Sequence, residues 1–193
     1  MKDLHNKTAG AILFIGAIQF IIVGLVIAEA SYPNYSVADN YISDLGVGPS
    51  AFIFNTSVFL LGILVIVGSY FVHKTYHRTL FTILLTITGV GAAGVGIFTE
   101  NAGLLHPIFS LVAFVFGALA TVVSCRLLRS PLSFFSIILG IFSLLAIVLF
   151  GSGNYLGLGA GGMERMVAYP TLLWGLGFGG HLIGYTREEP QKT

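Results

Sequence analysis

The chain has 193 residues, of which 55% are hydrophobic and only 9% charged, and its net charge is +1. An ordinary soluble domain carries about 25% charged residues, so these figures exclude a surface that faces water on all sides. They also exclude the basic stripe of a nucleic-acid binder and, with Cys125 as the single cysteine, an internal disulfide.

Taken in chain order, six apolar runs are each long enough to cross about 30 Å of hydrocarbon as a helix of ~20 residues. They cover residues 9–28, 51–72, 79–98, 104–125, 132–151 and 165–184. The first follows Lys2 and Lys7 and ends in Ala28-Glu29-Ala30, which resembles a signal-peptidase site. A signal h-region is about 7–15 residues long, so this longer run reads as a retained span. Nothing in the chain alternates as a membrane strand would, and backbone in lipid must pair internally, so the spans read as helices. The expected fold is all-α: a single membrane domain of six helices arranged as three hairpins.

The connection over residues 29–50 is the longest, and connections beyond about 12–15 residues are usually functional or disordered. Tyr32, Tyr35 and Tyr41 suit a water–lipid boundary. The stretch VADNYISDLG has the composition of a short interfacial helix, which would make the loop a lid over the bundle. The next two short connections carry Lys74 with Arg78, and Arg126 with Arg129, on alternate turns. Arg187 and Lys192 follow the last run. The positive-inside rule places these segments and both termini in the cytoplasm, so the chain is expected to be a multi-pass protein of the cell membrane. Small residues recur in GVGAAGVG and at Gly175, Gly177, Gly179 and Gly180, where they allow helices to approach closely. No strand precedes either stretch, so neither reads as a nucleotide loop. Gln19 sits mid-span, where an interhelical hydrogen bond is expected.

The opposite side collects Glu29, Asp39, Asp44, Glu100 and Glu164 with His106 and the remaining arginine, Arg165. Glu164 suits a helix N-terminus, whose dipole favours a carboxylate. Arg165 opposes both the dipole and the positive-inside bias, so it needs an acidic partner, with Glu100, Asp44 and Asp39 as candidates. Prolines 49, 107 and 170 fall near helix starts, where a missing N–H costs nothing. Ionisable groups in or near a bilayer are costly and tend to mark function.

Three readings follow. The cluster is a structural salt-bridge network in a structural or partner-binding protein, or it is a ligand site, or it is an enzyme centre. As a ligand site, Arg165 and His106 would hold an anion such as a phosphate headgroup. Glu164, Asp39, Ser43 and Asn55 would complete a pocket for a membrane lipid or a small polar ligand. As a lipid hydrolase or transferase, it would use His106 as base, oriented by Glu100, with Asp44 nearby. No cofactor is expected: a metal on this face would have one histidine and no HExxH or HxxxH pair, and no GxSxG elbow marks a serine nucleophile. His181 lies about 24 Å along its helix from Arg165 and belongs to the other side.

These same residues carry a family resemblance. The segments YPNYSVADNYISDLGVGPSAFIFNTSVFLLG, GIFTENAGLLHPIFSLVAFVFG and GMERMVAYPTLLWGLGFGGHLIG resemble the six-span membrane family known as domain of unknown function 998. The likeness rests on Ser43–Gly46, Phe54 with Asn55, His106 with Pro107, and residues 164–170. It spans roughly residues 9–184. Thr99 stands where a proline is frequent in the family. The resemblance implies six helices and a polar site on the outer side, and it implies no reaction.

Overall fold

The structure, a computed structural model, describes residues 2–184. Arg187 and Lys192, which belong to the charge asymmetry above, lie outside them. All regular structure among the described residues is helical. The first helix, α1, starts at Lys2–Gln19, widens into a π-helical stretch over Phe20–Ile27 and ends in the turn Ala28–Ala30. It is followed by α2 (Ala51–Tyr76), α3 (Thr79–Ile97), α4 (Leu105–Val123), α5 (Leu132–Gly151) and α6 (Gly159–Gly184). The first five are long and apolar enough to cross a membrane. With 26 residues, α6 is as long as α2, but its glycines, Glu164 and Arg165 make it less apolar.

The helices α2 to α5 lie close to their expected bounds. The first starts seven residues before its expected start, at Lys2, and the last six before, at Gly159, where the 29–50 loop supplies the reason. Residues 159–162 (GAGG) slide under the 29–50 loop, where the Gly161 and Gly162 amides donate to the Ala38 carbonyl at 2.8 and 3.2 Å. Those amides would otherwise be unpaired at a helix N-terminus, and the loop carbonyl lets the helix start early. Gly159 has a φ of +77°, and a Cβ at Gly161 would collide with the Asn40 carbonyl oxygen, so only glycine fits this approach. As a consequence Pro170 lies well inside α6 and not in its first turn. Its ring cannot bond the Met166 carbonyl, a loss membrane helices tolerate where neighbours compensate.

The helices do not separate into three hairpins. Each packs on the next, α2 on α3 and α4 on α5 as well as within the expected pairs, and α6 closes on α1. The result is a ring. Small residues set its close contacts: a methyl at Gly89 would come within 2.7 Å of the Gly62 carbonyl oxygen, and one at Gly10 within 2.6 Å of the Gly179 carbonyl oxygen. At Gly177 and Gly180 a methyl would meet open space, so the glycine run in α6 serves packing at Gly179 and not throughout.

Buried polar side chains tie the ring together. The expected bond of Gln19 forms twice: its amide donates to the Ser57 carbonyl at 3.0 Å and accepts from the Ser57 hydroxyl at 2.8 Å. The π-helical stretch begins at the next residue. Asn6 donates to the Leu182 carbonyl at 3.1 Å, Trp174 to the Ser124 hydroxyl at 2.9 Å, and Ser143 to the Val167 carbonyl at 2.7 Å. The ring's outward faces expose Ile15, Val26, Phe52, Leu60, Leu111, Phe134, Leu145 and Val148. Apolar exposure on this scale needs a cover. With the length of the helices, it marks the protein as embedded in a membrane.

Candidate functional site: a cavity with a polar end

Besides a small cluster of Ala146, Met163 and Val167 between α5 and α6, two apolar clusters lie inside the ring. One, around Phe20, Leu45, Phe54 and Leu172, lies toward the end that carries the 29–50 loop. The other, around Leu13, Phe81, Trp174 and Phe178, lies toward the far end. Between them runs a cavity of about 140 Å³, lined by α1, α2, α3, α4 and α6. Its walls are aliphatic and aromatic from Trp174 upward. Ser43, His106, Ser110 and Glu164 gather at the loop end, while Thr88 and Thr171 lie deeper with their hydroxyls donated to the Leu84 and Ala168 carbonyls.

Each of these is positioned by a specific bond. His106 stands in the first turn of α4, and its Nδ1 lies 2.7 Å from the carbonyl of Phe98, the residue just after α3. A carbonyl only accepts, so Nδ1 carries the hydrogen and caps an otherwise orphaned helix end. In the neutral ring this leaves Nε2 as an acceptor, and it sits 3.4 Å from the Ser110 hydroxyl one turn along α4. Glu164 is 7% exposed and receives the Ile42 amide at 2.6 Å. Ser43 donates to Glu100 at 3.0 Å. Burial pushes the Glu100 carboxyl above its usual range; the Ser43 hydroxyl opposes this, the neighbouring Asp44 charge adds to it, and His106 works against it.

Arg165 is placed differently. Its Nη2 donates to Glu29 at 2.6 Å and to the Tyr35 hydroxyl at 2.8 Å. Its Nη1 donates to the carbonyls of Val37 at 2.9 Å, Gly161 at 3.0 Å and Asn40 at 3.4 Å. Only Nε lacks a partner within the described residues. The ion pair is therefore with Glu29, and not with Glu100, Asp44 or Asp39. Tyr35 passes the chain on, donating to the Tyr41 carbonyl at 2.8 Å. Half-burial pushes its phenol up to about 12, so it stays protonated and able to donate.

The remaining expected site residues have local partners. Asp39 is exposed and accepts from Ser36 within one turn, at 2.7 Å. Asp44 accepts from the Asn40 side chain at 2.9 Å and the Tyr41 amide at 3.0 Å. Asn55 donates to the Gly46 carbonyl at 2.8 Å, holding the loop onto α2. The expected interfacial helix is present only as the short turn Ser43–Gly46. The structure thus brings Ser43, Glu100, His106 and Glu164 together, and sets Asp39, Asn55 and Arg165 apart from them. Sequence reading missed Ser110 and Tyr35. Ser110 was findable, since it follows His106 at the i+4 spacing that shares a helix face. The role of Tyr35 depends on a loop path with no local signature.

A ring of apolar helices around an interior cavity defines a membrane-embedded helical-bundle protein. Residues 14–181 match the family model described as "Protein of unknown function (DUF998)", and the chain belongs to that family. No curated protein and no solved structure matches it.

Proposed function

We propose that this is a six-span protein with both termini in the cytoplasm, and that it binds the polar head of a membrane lipid, or a small polar ligand, at the outer end of its central cavity. The cavity carries the reading: its apolar walls end in Ser43, His106, Ser110 and Glu164. Largely preformed apolar pockets with a few convergent polar groups are the usual form of small-molecule sites. The orientation rests on the basic connections holding Lys74, Arg78, Arg126 and Arg129, opposite the 29–50 loop.

Native mass spectrometry of the purified protein tests the binding reading. The wild type should retain a small-molecule adduct that His106→Ala loses. If the wild type carries nothing and the variant only melts lower, the cluster is structural. A cysteine placed at Asn154 in a Cys125→Ser background should react with an impermeant maleimide from outside the cell. One at Ser130 should not.

A second reading, a membrane-embedded hydrolase or transferase, is supported by the Nε2 of His106 facing the Ser110 hydroxyl, an arrangement that tightens in many sites once substrate binds. Covalent labelling of Ser110 by a fluorophosphonate, lost in His106→Ala, would favour it.

A further inference from the structure

The shape and charge of the cavity say more than that it has a polar end. It extends along α6 from Glu164 to Gly175, about 16 Å at 1.5 Å per residue. Yet its volume is about 140 Å³, close to the roughly 150 Å³ of an apolar cavity that holds one benzene ring. A space that long and that small is narrow. By that volume it has room for a single chain of about six carbons and none for the paired chains of a diacyl lipid.

Carboxylates outnumber the one basic side chain, His106, around its mouth. Glu164 lines the cavity, Glu100 lies one hydrogen bond behind Ser43, and Asp44 neighbours Glu100. Nε2 of His106 is an acceptor in the neutral ring. The cation nearest in sequence, Arg165, turns away to Glu29, Tyr35 and three loop or helix carbonyls. An anionic head would meet carboxylates with no free guanidinium to offset them. A head that donates hydrogen bonds would meet acceptors on three sides.

We propose that the cavity takes a single-chain amphiphile whose head is a hydrogen-bond donor without negative charge, with the tail threaded between α1, α2, α3, α4 and α6 toward Trp174 and the head against Glu164, His106 and Ser43. The inference rests on the binding reading above and names its ligand class.

Trp174 makes it testable, because it is the chain's single tryptophan and lines the deep end of the cavity. A hexyl chain brominated at its far end is added to the protein in nanodiscs, carried in turn by an amine, an alcohol and a carboxylate head. The amine and the alcohol should quench Trp174 saturably, and the carboxylate should need at least about tenfold more, equivalent to 1.4 kcal/mol. Unbrominated hexylamine should restore the fluorescence. Gly117→Leu should abolish saturable quenching. A Cβ at Gly117 meets nothing closer than the Thr88 methyl at 3.3 Å, so the new side chain fills the cavity, and leucine favours the helix over glycine. Glu164→Gln should narrow the gap between amine and carboxylate.

Equal quenching by all three heads, still lost in Gly117→Leu, would overturn the head class. Quenching that only rises linearly, from chains in the bilayer, would overturn the tail site. If that linear result came with a native adduct lost in His106→Ala, the polar-end binding reading would survive while this inference fell.

Discussion

Glu164 and Arg165 are neighbours in sequence and nearly equal in burial, at 7% and 2% exposure, yet they belong to two different machines. Arg165 is a staple. Its guanidinium gathers the end of α1 through Glu29 and the 29–50 loop through Tyr35, Val37 and Asn40, and fastens both to α6. Glu164, about 100° further round the same helix, faces the cavity and is steadied by one loop amide. A charge in a low-dielectric setting is tolerated when its hydrogen bonds are made. Where nearly all are made within the protein, as at Arg165, the group has little left for a ligand. Where few are, the group can bind one. Burial alone does not separate the two cases, but partner counting does.

Breaking the staple should give the largest effect. Arg165→Ala leaves Glu29, the Tyr35 hydroxyl and the loop carbonyls without their common donor. Removing one partner of a buried ion pair costs about 3–5 kcal/mol. Thermal unfolding in detergent should show that loss, and limited proteolysis should cut within the 29–50 loop. Arg165→Lys should recover little, because a single ammonium cannot span acceptors on α1, the loop and α6 at once. Near-wild-type stability in Arg165→Ala would mean that the loop is held by other contacts and that Arg165 is free for a ligand after all.

The next variant tests the other side of the comparison. His106→Ala removes the donor to the Phe98 carbonyl and should cost about 1–3 kcal/mol, less than the staple. It should also empty the cavity's polar end. His106→Gln sharpens the point, since its amide can still donate to Phe98 while the ring Nε2 is gone. Stability should return toward wild type in unfolding experiments, and ligand retention should not. Recovery of both would assign His106 a purely structural part.

How much of this could be read in advance differs between the two regions. Composition and hydropathy are properties of each segment alone, so five apolar helices, the approximate bounds of α2 to α5 and the Gln19 hydrogen bond were all legible. The start of α6 was not, because it depends on Ala38, far away in sequence, supplying a carbonyl to Gly161 and Gly162. The same ring closure of α6 on α1 decides that Glu29 is the partner of Arg165. Glu29 was visible as a carboxylate on the correct side, but nothing local distinguished it from Asp39, Asp44 or Glu100. The gathering of Ser43, Glu100, His106 and Glu164 at one end could be expected from alternating span direction. That they face an interior cavity, while Arg165 does not, is set by rotation about a helix axis, which a chain packed on both flanks does not declare.

A smaller effect should appear in the pH dependence of stability. The carboxyl of Glu100 is held above its ordinary range, first by burial and then by the Asp44 charge, against the Ser43 hydroxyl and His106. The folded state therefore binds this proton more tightly than the unfolded chain does. The contribution is fully present below the ordinary glutamate value and is lost as pH rises through the raised one. Melting temperature should fall across that interval in the wild type, and Glu100→Gln should flatten the slope. An unchanged slope in Glu100→Gln would assign it to another group and remove the argument that the acidic mouth is partly desolvated.

The smallest effect is expected at Asp39, and it tests where the functional end stops. Asp39 is exposed, and its side chain accepts from Ser36 inside a single turn of the loop. Asparagine can accept the same bond, and surface substitutions of this kind usually stay within about ±0.5 kcal/mol. Asp39→Asn should therefore leave both the melting temperature and the Trp174 quenching by the brominated amine unchanged. A weaker amine response at constant stability would mean that Asp39 reaches the bound head. The line between a staple that only holds the loop and a cavity that only binds would then have to run through the loop itself.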